Sequence, residues 1–311
     1  MKKAFTLIEL LVVIAIIAIL MATLLIAGSG STERGRAAKC ATNMRNLAAA
    51  AISYSVGNNG YFPRAQSSLT MKADTSMRGK GIGYSPVKGW ISFLDKGTVY
   101  PAKSKGGASA CSFASGDQDE ILYALTNGAI WSVLGGHRES YMCPSFRDAA
   151  QNAGTLNPGW SYQMSAYFGY EPSGVTMSYG VQAFSLKRAD RRLLFAEIPC
   201  IDPSTDKKSS GGKGQNGTSG GLAVNLTGGN GTAACDGCLV YKSKGGDESI
   251  GFNHRGNKRL FGHVAFADGH VEQITAPRNG NFVELTDWLC RGLDVIYKNG
   301  SYEEIKDSVT E

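Results

Sequence analysis

Several sequence features that would announce a function are missing. No H-E-x-x-H occurs, so the usual zincin helix is excluded, and the spellings G-x-S-x-G and G-x-G-x-x-G occur only within the Gly/Ser-rich stretch 202–232, where they carry no nucleophile elbow or dinucleotide fingerprint. Gly212-Lys213 is followed by Gly214 rather than Ser or Thr, and the upstream glycine is absent, so a P-loop is excluded too. Charged residues make up only 19% of the chain and its lysines and arginines are scattered. Without a dense basic block, nucleic acid is not an expected partner. Cys235-Asp236-Gly237-Cys238 is a C-x-x-C with no second such pair, which is weak as a zinc signal. No EF-hand spacing is present, and paired carboxylates for glycoside hydrolysis cannot be picked out. No catalytic residue is therefore assigned, and an enzyme is not expected.

The chain has one long hydrophobic run. Phe5 to Ala27 is apolar apart from Thr6, Thr23 and a single charge, Glu9, and follows the short basic tail Met1-Lys2-Lys3-Ala4. As a helix rising 1.5 Å per residue it would span about 30 Å or slightly more, enough to cross a bilayer. A plain signal peptide, cut near Ala27-Gly28-Ser29, or a plain anchor would account for the run but not for Glu9. A carboxylate at that depth costs on the order of 2.5–3.5 kcal/mol.

The stretch KKA-FTLIELLVVIAIIAIL resembles the N-terminal cleavage and methylation motif of type IV pilins and type II secretion pseudopilins. The resemblance implies cleavage between Ala4 and Phe5 by a prepilin peptidase and N-methylation of the new Phe5 amine. Ala4 stands where the family usually has Gly. Glu9 becomes the fifth mature residue, where the family keeps its glutamate. In staggered parallel helices it would meet a neighbour's Phe5 amine and set register, which makes it an assembly residue.

Beyond the run, Ala37, Cys40/Ala41, Met44, Leu47/Ala48, Ala51 and Tyr54 recur at helical spacing. The second half of the helix is therefore amphipathic and expected to pack on a head. Gly28-Ser29-Gly30-Ser31 is a weak spot between the halves, and Gly57-Asn58-Asn59-Gly60 ends the helix. The run AAKCATNMRNLAAAAISYSVGNNGYFP resembles the pseudopilin pattern of helix, Asn/Gly turn and Tyr/Phe-Pro.

The expected architecture is α+β. It comprises a leader (1–4), an assembly half (5–28), an amphipathic half (29–57), and a mainly antiparallel β-sheet head (58–311) in a pilin-like fold. A Gly/Ser/Asn-rich insertion covers about 202–232. Strands are expected at 90–94, 160–170, 178–186 and 191–198, and helices at 119–134, broken at Asn127-Gly128, and at 284–298. His263 to Ile274 reads as a hairpin around a type I′ Asp268-Gly269 turn, with Ala267 facing His270. In that register His263, His270 and Glu272 share a face away from the core. His263 and His270 are then about 13 Å apart, too far to share one ion.

The order Cys40-x-x-Asn43, Cys143-Pro144-Ser145, LLFAE at 193–197, Asn253-His254 and FADGHV resembles a group of pilin-like secretion proteins whose heads carry a His followed by Asp-Gly. Thirteen residues separate His254 from Asp268 here, more than that group's usual spacing. This resemblance suggests a Cys40–Cys143 disulfide; a local Cys235–Cys238 bridge is the other expectation. Seven cysteines leave at least one thiol unpaired or paired between chains. No metal site or cofactor is assigned. Calcium is implied as possible by the resemblance to major pseudopilins, with Asp236, Asp247 and Glu248 as oxygen donors but no ligand set.

The expected function is a structural subunit of a pilin-like filament, type II secretion pseudopilus-like or a type IV pilus. Its partners would be copies of itself, other pilin-like subunits, the prepilin peptidase and an inner-membrane assembly platform. The protein would sit in the bacterial inner membrane as a single-pass chain with its head in the periplasm, then join a periplasmic or surface filament. The alternatives are a membrane-anchored surface adhesin or polysaccharide-binding protein and, as a third class, an anchored enzyme.

Overall fold

A computed structural model describes residues 7–65, 68–72, 83–92, 94–95, 98–99, 118–152, 159–170, 175–176, 180–199, 201–202, 207–208, 237–244, 248–256, 259–278 and 282–305. The leader, Phe5, Cys235, Asp236, Asp247 and nearly all of the 202–232 insertion lie outside these residues.

Helix α1, Leu7–Gly57, is continuous over 51 residues and runs straight through the Gly28–Ser31 segment. Its two halves have opposite environments. Ala37, Cys40, Met44, Leu47, Ala48 and Ala51 are buried, as the helical stripe predicts, whereas every residue from Leu7 to Met21 is exposed. An exposed apolar surface of that length marks a contact face rather than an ordinary solvated one. Among the described residues no helix is long and apolar enough to cross a membrane; the side chains of 22–31 lie outside that description. The helix ends through positive φ at Asn59 (54°) and Gly60 (80°), with the Gly60 amide donating to the Ser55 carbonyl at 2.9 Å.

The body is α+β and its main sheet is largely antiparallel. Besides α1 it contains helices α2 (Gln118–Thr126), α3 (Pro144–Asn152) and α4 (Phe282–Arg291). Strands β1 (Tyr162–Ser165), β2 (Leu193–Glu197), β3 (Cys238–Leu239), β4 (His254–Arg255), β5 (Leu260–Phe266) and β6 (Val271–Thr275) form one sheet. Its order is β3-β1-β2-β5-β4, with β6 also paired to β5 and only β3–β1 parallel. All five residues of β2 are buried, which requires cover on both faces; α1 and α4 both pack against it.

Four local expectations are corrected. The hairpin between β5 and β6 pairs Ala265 with Val271 and His263 with Gln273, one residue out of the expected register. The Phe266 amide donates to the His270 carbonyl, so the loop is the three-residue Ala267-Asp268-Gly269, with Gly269 at φ 95°. A one-residue slip exchanges faces: His263 turns inward, and His270 stays at the surface, stacked on Phe266 with ring centroids 4.5 Å apart. The expected helix over 284–298 stops at Arg291. Val295–Lys298 instead pairs with Ser301–Glu304 around Asn299-Gly300, both at positive φ (52° and 91°), a type I′ turn. Residues 183–185 form a 3-10 turn rather than a strand, and Trp90-Ile91 lies in a bend. The break after α2 falls where Asn127-Gly128 predicts it.

Candidate functional site

The chemistry-bearing side chains converge where α1 crosses the sheet. The register sets Tyr162 opposite Glu197 and Ala196 opposite Val264, which aligns Tyr162, Glu197 and His263 in one row across β1, β2 and β5. Cys40 on α1 lies over this row. Cys143, at the start of α3, and His254, on β4, close it from the sides. All six residues are buried.

Glu197 Oε1 is the centre. It lies 3.2 Å from Cys40 Sγ, 3.1 Å from His263 Nδ1 and 3.3 Å from His254 Nε2, and it accepts the His263 backbone N–H at 2.8 Å. Its other oxygen accepts from Asn253 Nδ2 at 2.9 Å. The Asn253 amide also donates to the Ile198 carbonyl at 2.8 Å, so its orientation is fixed from two sides. Cys143 Sγ lies 3.5 Å from His254 Nε2, and the Tyr162 hydroxyl donates to Cys40 Sγ at 3.4 Å. On the far side of its ring, His254 Nδ1 faces Glu33 Oε1 at 3.1 Å and Ser145 Oγ at 3.2 Å. Ser145 in turn donates to Glu33 at 2.9 Å.

The charge states follow from this geometry. Burial alone would raise the Glu197 carboxyl, but the His254 cation and hydrogen bonds from both histidines outweigh it. They hold the carboxyl well below the usual carboxylate range. Burial likewise opposes a charged His254, yet Glu197, Cys143 and Glu33 together push it up to about 12. A buried ion pair of this kind costs heavily in desolvation and is tolerated only when its remaining valences are met. Of the adjoining thiols, Cys40 is pushed up by burial and by Cys143. Burial acts the same way on Cys143, but its contacts with Cys40 and His254 bring it down to about 7.

The expected Cys40–Cys143 disulfide is not formed: the two side chains adjoin as buried free thiols. Cys238 is likewise a buried free thiol, and Cys235 lies outside the described residues. Glu9 is exposed on the first turns of α1, while Ala4 and Phe5 lie outside the described residues. Of the oxygen donors considered for calcium, Glu248 is described, and its carboxylate accepts the Val240 backbone N–H at 2.8 Å. His270 pairs with Asp268 at 2.6 Å on the surface, away from His263.

Sequence reading missed Glu197, Glu33 and Tyr162 as site residues and set His263 on the outside. One signal pointed to part of the set. The separate fragments Cys40-x-x-Asn43, Cys143-Pro144-Ser145, LLFAE, and Asn253-His254 all deliver a side chain to this node. Asn43 does so indirectly, donating to the Met142 carbonyl at 2.9 Å and so holding the strand-like residue before Cys143 against α1.

Compared with known families, the chain matches the model of the prokaryotic N-terminal methylation motif over residues 1–25. Neither the curated proteins nor the solved structures return a match. The chain thus carries at its N-terminus the motif of a prepilin-type protein.

Proposed function

We propose that this protein is a subunit of a pilin-like filament, assembled through α1 after removal of Met1–Ala4 and methylation of Phe5. One observation carries the reading: the methylation motif over residues 1–25 opens a helix whose Leu7–Met21 segment is exposed, while Ala37–Ala51 is anchored in the body. A helix with one end fixed to a folded head and the other bare and apolar fits side-by-side stacking in a filament core. In this reading the bare segment first waits in the inner membrane with the head in the periplasm. Glu9 then meets a neighbour's Phe5 amine and sets the stagger between subunits. The role is structural rather than enzymatic, and the filament is of the type II secretion pseudopilus or type IV pilus kind.

The test is intact mass and N-terminal sequencing of the protein from its own membranes, beside Glu9→Ala. The expected mature chain starts at methylated Phe5, and the variant is cleaved normally but left out of filaments. A chain that still starts at Met1, or is cut near Gly28, would overturn the proposal in favour of an anchored or secreted binding protein.

A further inference from the structure

We infer that the buried node is a structural site for a divalent transition-metal ion, zinc foremost, with Cys40 Sγ, His254 Nε2, His263 Nδ1 and Glu197 Oε1 as ligands. Nothing in the filament role requires such a site, and three observations lead to it.

The first is geometric. One donor atom from each of Cys40, Glu197, His254 and His263 lies within 4.8 Å of all the others, and all four residues are buried. Their contacts to Glu197 Oε1 run 3.1–3.3 Å. Tetrahedral zinc, with bonds of about 2.0–2.3 Å to N, O and S, places its ligand atoms roughly 3.3–3.8 Å apart. The contacts to Glu197 Oε1 need to lengthen by only tenths of an ångström, while any wider pair, within the 4.8 Å limit, closes by at most about an ångström.

The second is valence. Glu197 Oε1 has Cys40, His254, His263 and the His263 amide all within 3.3 Å. A carboxylate oxygen offers about two acceptor directions. Four donors converging on one oxygen exceed what hydrogen bonding alone can use, whereas an ion at the centre would make three of the side-chain groups co-ligands.

The third is the surrounding shell. A metal-bound histidine characteristically turns its other ring nitrogen to a carboxylate. His254 does so, presenting Nε2 to the node and Nδ1 to Glu33. Asn253 steadies the second Glu197 oxygen, and Tyr162 donates to the Cys40 sulfur, as would suit a thiolate ligand. Four protein ligands in a buried setting describe a closed, structural site rather than a catalytic one with an open position. Binding releases the Cys40 and His254 Nε2 protons to solvent and requires the His263 Nδ1 proton to move to Nε2, so affinity falls with falling pH.

The test uses the full chain in detergent, freed of metal and titrated with Co²⁺ and Zn²⁺. The expected result is a single ion per chain and a thiolate-to-cobalt charge-transfer band that Zn²⁺ abolishes. Cys40→Ser should remove the charge-transfer band, and His263→Gln should weaken Co²⁺ binding by at least tenfold. Should either variant fail to fold, the unmutated chain's cobalt spectrum and metal stoichiometry decide alone. Absence of the charge-transfer band, or recovery of a Cys40–Cys143 disulfide in the protein from its own membranes, would overturn the inference. None of these readouts depends on filament assembly.

Discussion

Cys40 Sγ and Glu197 Oε1, 157 positions apart in the chain, lie 3.2 Å from each other and join the middle of the N-terminal helix to the central strand of the sheet. Glu197 is the more critical of the two, because two buried histidines and an asparagine also depend on it. Glu197→Ala should destabilise the folded head by about 3–5 kcal/mol, since it removes the fully buried carboxylate from the His254 cation, leaving only the half-buried Glu33, and strips Asn253 and His263 of their acceptor. Denaturant unfolding of the full chain in detergent measures this.

The two halves of α1 should respond oppositely to the same truncation. Met44 is fully buried and Leu11 is 56% exposed. Met44→Ala should cost the head about 2–5 kcal/mol through loss of apolar burial and the cavity left behind. Leu11→Ala should leave head stability within about 0.5 kcal/mol. Thermal unfolding of the two variants, followed by near-ultraviolet circular dichroism, separates the cases.

Gly262 has no room for a side chain. A Cβ there would fall on the Gly251 carbonyl oxygen, which belongs to backbone and cannot swing aside. Gly262→Ala should force β5 away from the neighbouring segment and displace His263 with it. The expected outcome is a loss of soluble folded protein far exceeding that of Gly35→Ala, whose added Cβ meets nothing within 4 Å. Expression yield and protease resistance of the pair provide the comparison.

Cys290 lies fully buried on α4, and burial pushes its thiol up to about 12 from an ordinary 9.0. Folding thus favours its protonated form, and its contribution to stability is intact below pH 9 and declines as the pH rises from there toward 12. At pH 8 it should resist alkylation in the folded chain and react at once in denaturant. Site-resolved mass spectrometry checks this.

Periodicity exposed the helix but not the site. Cys40, Met44, Leu47 and Ala51 declare a buried stripe because neighbours on a helix face recur every three or four residues. The C-terminal hairpin was hidden by the same rule. Leu285, Leu289, Leu293 and Ile296 continue a helical spacing past Arg291, and Gly292, at φ 73°, is the stop that this spacing hides. At the other hairpin, Asp268-Gly269 predicts a two-residue turn, but Ala267 belongs to the loop, and that single residue moves His263 to the inner face. The node draws on α1, α3, β1, β2, β4 and β5, so no local pattern could assemble it. Glu197 in particular is a lone carboxylate inside the apolar run 193–201, and nothing beside it in sequence names its partners.

The unbroken course of α1 has a mechanical consequence. Leu7 and Cys40 are separated by 33 residues of continuous helix, about 50 Å of rigid rod. A pull on the bare end travels along that rod with little compliance and arrives as shear at the Cys40–Glu197 contact. Cross-links at this junction, whether hydrogen bonds or coordination to an ion, would set the load at which head and helix part.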